Sequence, residues 1–218
     1  MPKQESLQDS TIRSSGTYYF EVRGPRYRRS EAVHLIIGSL LVWGVGASWL
    51  LGIVNSWGFI IDSLLFLAAF ILHEYMHKVA AIRSGFMAQF RLQSFGAILT
   101  FISIIIPFFK IIAPGATMIY GSGDESSLGK IALWGPLTNI IMAIALLPFV
   151  LYSPYGGVLV LALYFNAFIA TFNLLPVAIL DGLKVFRWNK AAWAISIAAS
   201  AGLLIYTYLL IDGIIGIP

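Results

Sequence analysis

The chain has 218 residues, of which 59% are hydrophobic and 11% are charged, and it contains no cysteine. Soluble domains contain about 45–50% apolar and about 25% charged residues, so this composition indicates a membrane protein. In lipid, only a helix bundle or a closed barrel satisfies the backbone, and the long unbroken apolar runs favour helices. The lack of cysteine excludes thiolate metal sites, so any metal must be held by His, Asp or Glu.

The net charge of +4 does not indicate a surface that binds nucleic acid, because the basic residues cluster in the first 30 positions or directly after apolar runs. Such positions are typical of topology signals and lipid headgroup contacts. We therefore expect a multi-pass protein of the cell membrane, in contact with the lipid bilayer and not with nucleic acid. Residues 1–30 are predicted to form a polar cytoplasmic tail, because four arginines directly precede the first apolar run: Arg23, Arg26, Arg28 and Arg29.

A helix needs about 20 residues to cross about 30 Å of hydrocarbon. Five apolar stretches are long enough, and they lie at 32–54, 59–82, 130–152, 157–180 and 191–211. The predicted fold class is therefore an all-α polytopic membrane protein, a bundle of about five transmembrane helices. Residues 31–218 are expected to form a single transmembrane domain.

Residues 96–109 (GAILTFISIIIPFF) are apolar but short, rich in β-branched side chains and interrupted by Pro107. A strand pair, a re-entrant hairpin and a tilted helix all remain open for this segment. The following Gly- and Ser-rich stretch is typical of turns and loops. We expect a small β or re-entrant element at about 92–120.

The second apolar stretch contains His73-Glu74-Tyr75-Met76-His77. Two histidines at i and i+4 share one helix face, where both rings can reach a single ion, and the Glu between them can accept a proton from water that the ion activates. This is the HExxH pattern of zinc hydrolases. A pair of packed histidines beside a salt-bridged Glu is the alternative, but ionisable groups inside a membrane span are costly and mark functional sites.

A catalytic zinc usually has three protein ligands and one open position, so a third ligand is needed. The extended pattern HExxHxxGxxH is excluded, because Ala80 and Arg83 occupy the positions of its Gly and last His. Downstream of the motif the chain offers four carboxylates, which are Asp124, Glu125, Asp181 and Asp212. Upstream, His34 is interpreted as an interfacial residue, and Asp62, like Asp212, as a helix-end group.

Depth in the membrane separates the remaining candidates. If the second helix begins near residue 59, His73 and His77 lie roughly 21 to 27 Å along it, near its far end. Asp181 is predicted to end the helix that begins near 157, and it reaches the same depth only if an odd number of crossings separates the two helices. Pro176, near the end of this helix, could kink or end it and turn Asp181 towards the histidines; a tolerated membrane-helix proline is the alternative. The stretch 130–152 supplies one crossing, so 96–109 should not span. Glu125 in a loop on the same side is the second candidate.

Basic residues also predict which face carries the site. With the N-terminus in the cytoplasm, the second helix ends inside with Lys78 and Arg83, and Asp181 is followed by Lys184, Arg187 and Lys190. The metal site should therefore lie just beneath the cytoplasmic face.

Three segments in order resemble the site-2 protease family of intramembrane zinc metalloproteases, in its short archaeal and bacterial form without a PDZ insertion. They are HEYMH with the following AAIRSG, GPLTN at 135–139, and NLLPVAILDG at 173–182. The resemblance covers about 59–190, the expected catalytic core of a protease domain over 31–218. It implies one Zn²⁺, with Asp181 as the third ligand beside His73 and His77. Leu183 departs from the second Gly of many members.

The resemblance also implies a role for Asn139, whose side-chain amide would donate a hydrogen bond to the oxyanion formed on the substrate. From the residues alone, packing between helices is the simpler role. The expected catalytic residues are therefore Glu74, as general base, and Asn139.

The expected substrate is a transmembrane protein, in the manner of regulated intramembrane proteolysis. A transmembrane helix offers no free carbonyl, so it must unwind before cleavage. A strand edge within 96–120 could then pair with it by β-augmentation. Two alternatives remain: a metalloenzyme that uses Glu125 at the membrane surface, and a non-proteolytic zinc-binding protein or transporter. Glu74 weighs against the latter, because a transport site needs no base between two ligands.

Overall fold

The computed structural model describes residues 18–19, 27–50, 56–106, 110–177 and 180–213. Arg23, Arg26 and Pro107, on which parts of the sequence interpretation depend, lie outside the described residues. The described helices are α1 (Tyr27–Leu50), α2 (Ser56–Arg83), α3 (Ser94–Ile105), α4 (Glu125–Tyr152), α5 (Gly156–Asn173), α6 (Asp181–Trp188) and α7 (Lys190–Ile211). The described strands are β1 (Tyr18–Tyr19), β2 (Met87–Leu92), β3 (Gly115–Tyr120) and β4 (Ser122–Gly123).

Five of the described helices, α1, α2, α4, α5 and α7, are long and apolar enough to cross a membrane. Many of their large apolar side chains are exposed, as expected for a bundle that faces lipid; examples are Ile36, Leu64, Ile144 and Ile205. The fold class predicted from the sequence, an all-α polytopic bundle with a small β element, is confirmed.

The segment predicted not to span the membrane, 96–109, contains most of the short helix α3, and strand β3 follows later in the chain. The 12 residues of α3 extend over about 18 Å, which is well below the thickness of the hydrocarbon core. Strands β2 and β3 lie on either side of α3 in the chain and pair antiparallel, from Met87↔Tyr120 to Leu92↔Gly115. The β element is therefore a hairpin whose connection contains α3.

The predicted helix over 157–180 is wrong at its C-terminal end. Helix α5 ends at Asn173, and Asp181 is the first residue of a separate helix, α6. Pro176 accounts for the difference, because it cannot supply a helical N–H and it disfavours helical geometry in the residue before it. Asp181 reaches the site from this turn and not from a continuous helix.

Two apolar clusters hold the bundle together. Helices α1, α2 and α5 meet around Phe66 and Phe165, whose ring centroids are 4.6 Å apart in an edge-to-face arrangement. Helices α4, α5 and α7 meet around Ala143, Leu163 and Leu210. Both clusters involve α5, so it is the central helix that connects the two halves.

Asp62 does not lie at a helix end, as its position in the sequence had suggested. It is in the second turn of α2, its side chain is fully buried, and neither carboxylate oxygen has a hydrogen-bond partner. Asp212, by contrast, follows the last residue of α7 and is exposed, as predicted.

Candidate metal centre

The two histidines of the HExxH motif lie one turn apart on α2 and point into the protein. His73 and His77 are 2% and 6% exposed, and their Nε2 atoms are 3.1 Å apart. Their rings meet edge to face. This is the shared helix face that the i, i+4 spacing predicts.

Hydrogen bonds fix the tautomer of each ring. His77 Nδ1 lies 3.0 Å from the carbonyl oxygen of Ile131, which can only accept, so Nδ1 carries the proton. His73 Nδ1 lies 2.7 Å from Asn139 Oδ1, and the orientation of that amide is set because its Nδ2 donates to the Ala69 carbonyl. In the neutral form of each ring, Nε2 is therefore the nitrogen without a hydrogen and can bind a metal.

Asp181 supplies a third acceptor at the same point. Its Oδ2 lies 3.4 Å from His73 Nε2 and 2.9 Å from His77 Nε2, and its Oδ1 lies 3.2 Å from Lys184 Nζ. The next residue, Gly182, packs so closely on Leu174 that an added Cβ would lie 2.1 Å from the Leu174 carbonyl oxygen. Glycine at 182 thus lets the turn after α5 fold back and carry Asp181 to the histidines.

These three side chains fit a zinc ion. Tetrahedral ligands at about 2.0–2.1 Å from zinc lie about 3.3 Å from one another, close to the observed separations. With both rings neutral, three lone pairs converge at this point, an arrangement that a cation stabilises. Within the described part of the chain, His73, His77 and Asp181 are the group able to hold a metal.

Gly135 provides the space for these ligands. A Cβ at this position would lie 2.2 Å from His77 Nε2 and 2.8 Å from His73 Nε2. The neighbouring Pro136 has no N–H to donate to the Ala132 carbonyl, which follows the Ile131 carbonyl that accepts the bond from His77. The segment GPLTN therefore shapes the wall of the metal centre.

A protein of Methanocaldococcus jannaschii, provisionally named as a zinc metalloprotease, is 37% identical to this chain over 155 residues. The match covers 68% of this chain and 80% of that protein. The chain belongs to a zinc metalloprotease family. No family model and no solved structure matches it. The cofactor of this metalloprotease is zinc, in agreement with the donor set of His73, His77 and Asp181.

Glu74 of the metalloprotease is held by a strand that faces the metal centre. Its Oε2 accepts hydrogen bonds from Thr117 N at 3.1 Å and from Thr117 Oγ1 at 2.8 Å. Glu74 is only 9% exposed. Thr117 lies at the middle of β3, so the strand and the carboxylate are coupled directly.

The hydrogen bonds around the hairpin define which edge of β3 is open. Phe90 and Thr117 face each other across the hairpin, and both direct their N–H groups outward: Phe90 N to Glu31 Oε1 and Thr117 N to Glu74 Oε2. By strand alternation, the N–H groups of Gly115, Thr117 and Ile119 all point away from β2. The outer edge of β2 contacts α1, whereas the outer edge of β3 faces the metal centre.

Asn139 is completely buried, and its contacts differ from the role that the family resemblance implied. Its Oδ1 accepts from His73, while Nδ2 donates to the Ala69 carbonyl at 3.1 Å and to Asn166 Oδ1 at 2.9 Å. Both amide hydrogens are thereby directed at protein oxygens. Asn139 thus lies behind His73, one of the three residues able to hold a metal, and orients its ring.

Glu125, the second candidate for a ligand, is not brought to the centre. It is the first residue of α4 and is exposed, about 15 Å along the helix from Gly135. Asp124 caps the same helix by accepting a hydrogen bond from Ser127 N at 2.8 Å. Hydrogen bonds from the Ser127 side chain and from its backbone hold the pKa of the Asp124 carboxyl below its ordinary value.

The sequence did not predict three groups that hold the site residues in place, namely Thr117, Asn166 and the Ile131 carbonyl. Asn166 had a signal, because an amide within an apolar run needs a hydrogen-bond partner. Thr117 and Ile131 had none, because their contacts depend on the approach of β3 and α4 to α2.

Proposed function

We propose that the chain is an intramembrane zinc metalloprotease of the site-2 protease type. His73, His77 and Asp181 hold one zinc ion, and Glu74 acts as general base. The observation that carries the proposal is the convergence of His73 Nε2, His77 Nε2 and an Asp181 carboxylate oxygen beside a buried Glu in a bundle of apolar helices. Glu125 is too distant to support the alternative of a gluzincin-like surface enzyme.

Zinc in such a site polarises a substrate carbonyl and lowers the pKa of water towards about 7. Glu74 takes a proton from the attacking water and later gives it to the leaving amine. Because Thr117 binds Glu74 at Oε2, we assign the proton transfer to Oε1. Burial of Glu74 keeps the carboxylate directed at the reaction and not at bulk water.

Asn139 acts as a positioning residue in this proposal. It fixes the His73 ring with Nε2 towards zinc, and Asn166 in turn fixes Asn139. A zinc ion held by His73, His77 and Asp181 would supply the positive charge that stabilises the oxyanion, so this role is not assigned to Asn139.

The substrate is a transmembrane segment that unwinds at the site and pairs with the open edge of β3. The outward N–H and C=O groups of Gly115 and Ile119 support this mode, since β-augmentation needs a free edge. The register aligns the substrate backbone beside Glu74. Such an enzyme acts in regulated intramembrane proteolysis.

We propose that the N-terminus is cytoplasmic and that the site lies near the cytoplasmic face. Basic residues at the site end of the bundle support this orientation, namely Lys78, Arg83, Lys184, Arg187 and Lys190.

The test is to reconstitute the enzyme in lipid nanodiscs with a single-span substrate and to map the cut by mass spectrometry. We expect cleavage within or directly beside the apolar span, and none with Glu74→Gln although zinc is retained. Cuts confined to soluble loops would contradict the intramembrane assignment, and cleavage by Glu74→Gln would contradict the role of Glu74.

A further inference from the structure

The cavity at the metal centre is too small for a substrate side chain. It has a volume of about 40 Å³ and is lined by His73, Glu74, His77, Asn173 and Asp181, among others. One water requires about 10–15 Å³ by this measure. The cavity therefore has room for an ion and a few waters, and the bulk of the substrate must lie elsewhere.

A second and larger cavity, the α1–α2 groove, adjoins it. It has a volume of about 330 Å³ and is lined by Glu31, Ala32, Leu35, Ile71, Glu74, Tyr75, Lys78, Phe90 and Thr117. Glu74 and Thr117 line both cavities. The groove is thus continuous with the proposed catalytic base and with the open strand β3.

We propose that the α1–α2 groove is a substrate subsite that binds one bulky apolar side chain, aromatic or branched, from a residue flanking the cleaved bond. The inference rests on the proposed function and adds to it which part of the substrate the enzyme selects. The volume lies at the lower end of ligand-binding cavities, about 300–1,000 Å³, and is ample for one large side chain. The walls formed by Leu35, Ile71 and Phe90 are apolar.

A fixed polar end distinguishes this groove from a channel for a lipid tail. Lys78 Nζ lies 2.6 Å from Glu31 Oε1, and the same oxygen accepts from Phe90 N. These bonds tie α1, α2 and β2 together, and they place an ion pair in the lining of the groove. An acyl chain that filled the groove would lie against these charges, whereas a single side chain can lie against the apolar part alone.

Because the substrate is bound as a strand, we expect the enzyme to select the side chain at only one of the two positions that flank the cleaved bond. Successive side chains of a strand point to opposite faces. A substrate strand paired with β3 therefore directs only one of the two residues flanking the cleaved bond into the groove. We expect a strong preference at one flanking position and a weak one at the other.

The experiment compares kcat/KM for single-span substrates that carry Ala, Leu or Phe at each flanking position. Wild type should prefer Phe or Leu to Ala by about 10–200-fold at one position, the range for added methylene groups in an apolar pocket. Ala32→Phe fills the groove and should lower the Phe-to-Ala ratio at least tenfold. Leu35→Ala enlarges the groove and should shift the preference towards Phe over Leu.

Val33→Phe is the matched control, because Val33 is the next residue on α1, is 52% exposed and does not line the groove. It should leave every ratio unchanged. Unchanged ratios in both Ala32→Phe and Leu35→Ala, with wild-type zinc content, would overturn the inference, as would a phospholipid found by native mass spectrometry that only Ala32→Phe displaces. A wild-type enzyme that cleaves none of the substrates would instead contradict the proposed function itself.

Discussion

Asn139 is the residue whose contacts differ most from the role that the family resemblance implied. Its Oδ1 binds His73, and both amide hydrogens bind protein oxygens. For Asn139→Ala we expect about 10–100-fold weaker zinc binding, since residues that orient a metal ligand have effects of that size. Competition with a chelator of known affinity measures the zinc affinity of each variant. Ser200→Ala, which removes a buried hydroxyl bonded only within α7, is the control. Unchanged zinc affinity with a lower kcat would instead indicate that Asn139 donates a hydrogen bond to the oxyanion of the substrate.

Gly135 gives a second test at the residue scale. In Gly135→Ala the new Cβ would lie 2.2 Å from His77 Nε2, so the ligands must move and zinc content should fall strongly. Gly157→Ala is the matched control, because nothing lies within 4 Å of a Cβ at that position. Metal analysis of the purified proteins, with circular dichroism as a check on folding, decides the outcome. Full zinc occupancy in Gly135→Ala would mean that the ligands lie elsewhere.

Asp62 provides a prediction about stability. Both of its carboxylate oxygens are buried without a hydrogen-bond partner, and burial of such a group costs about 1–3 kcal/mol. Asp62→Leu should therefore raise the thermal unfolding temperature in detergent without loss of zinc. A lower unfolding temperature would show that the carboxyl has a role that its contacts do not reveal.

At the scale of elements, the open edge of β3 is the feature to test. Ile119 directs its N–H away from β2, so Ile119→Pro removes a group that a paired substrate would need while sparing the hairpin ladder. We expect weaker substrate binding, seen as a raised KM. Ala88→Pro makes the same change in the residue paired with Ile119, on the opposite edge, and should leave KM unchanged. Equal effects of the two variants would contradict β-augmentation.

The sequence predicted the long apolar helices and the histidine pair, because composition and the i, i+4 spacing act locally. Pro176 indicated that the apolar stretch 157–180 could kink or end before Asp181, but the sequence did not predict the end of α5 at Asn173 or the separate helix that begins at Asp181. There the apolar run continues, and the break depends on Pro176 and on the close packing of Gly182 against Leu174. Nor did it predict β2, a short strand that contains Gln89 and Arg91 and is held by pairing with distant residues.

At the scale of the whole molecule, the proposed topology makes a direct prediction. The chain has no cysteine, so single cysteines report accessibility without background. Ser84→Cys, after α2 at the site end, should resist a membrane-impermeant maleimide in intact cells. Tyr155→Cys, between α4 and α5, should react, since its side chain is 70% exposed at the opposite end. The reverse pattern would place the site on the outer face.

The central claim is a zinc ion held by His73, His77 and Asp181 beside the base Glu74. The most direct measurement is zinc content together with cleavage of a transmembrane substrate, for wild type, Glu74→Ala and Asp181→Ala. We predict that Glu74→Ala retains zinc without cleaving and that Asp181→Ala loses both zinc and cleavage. Cleavage by Glu74→Ala, or full zinc content and activity in Asp181→Ala, would contradict the claim.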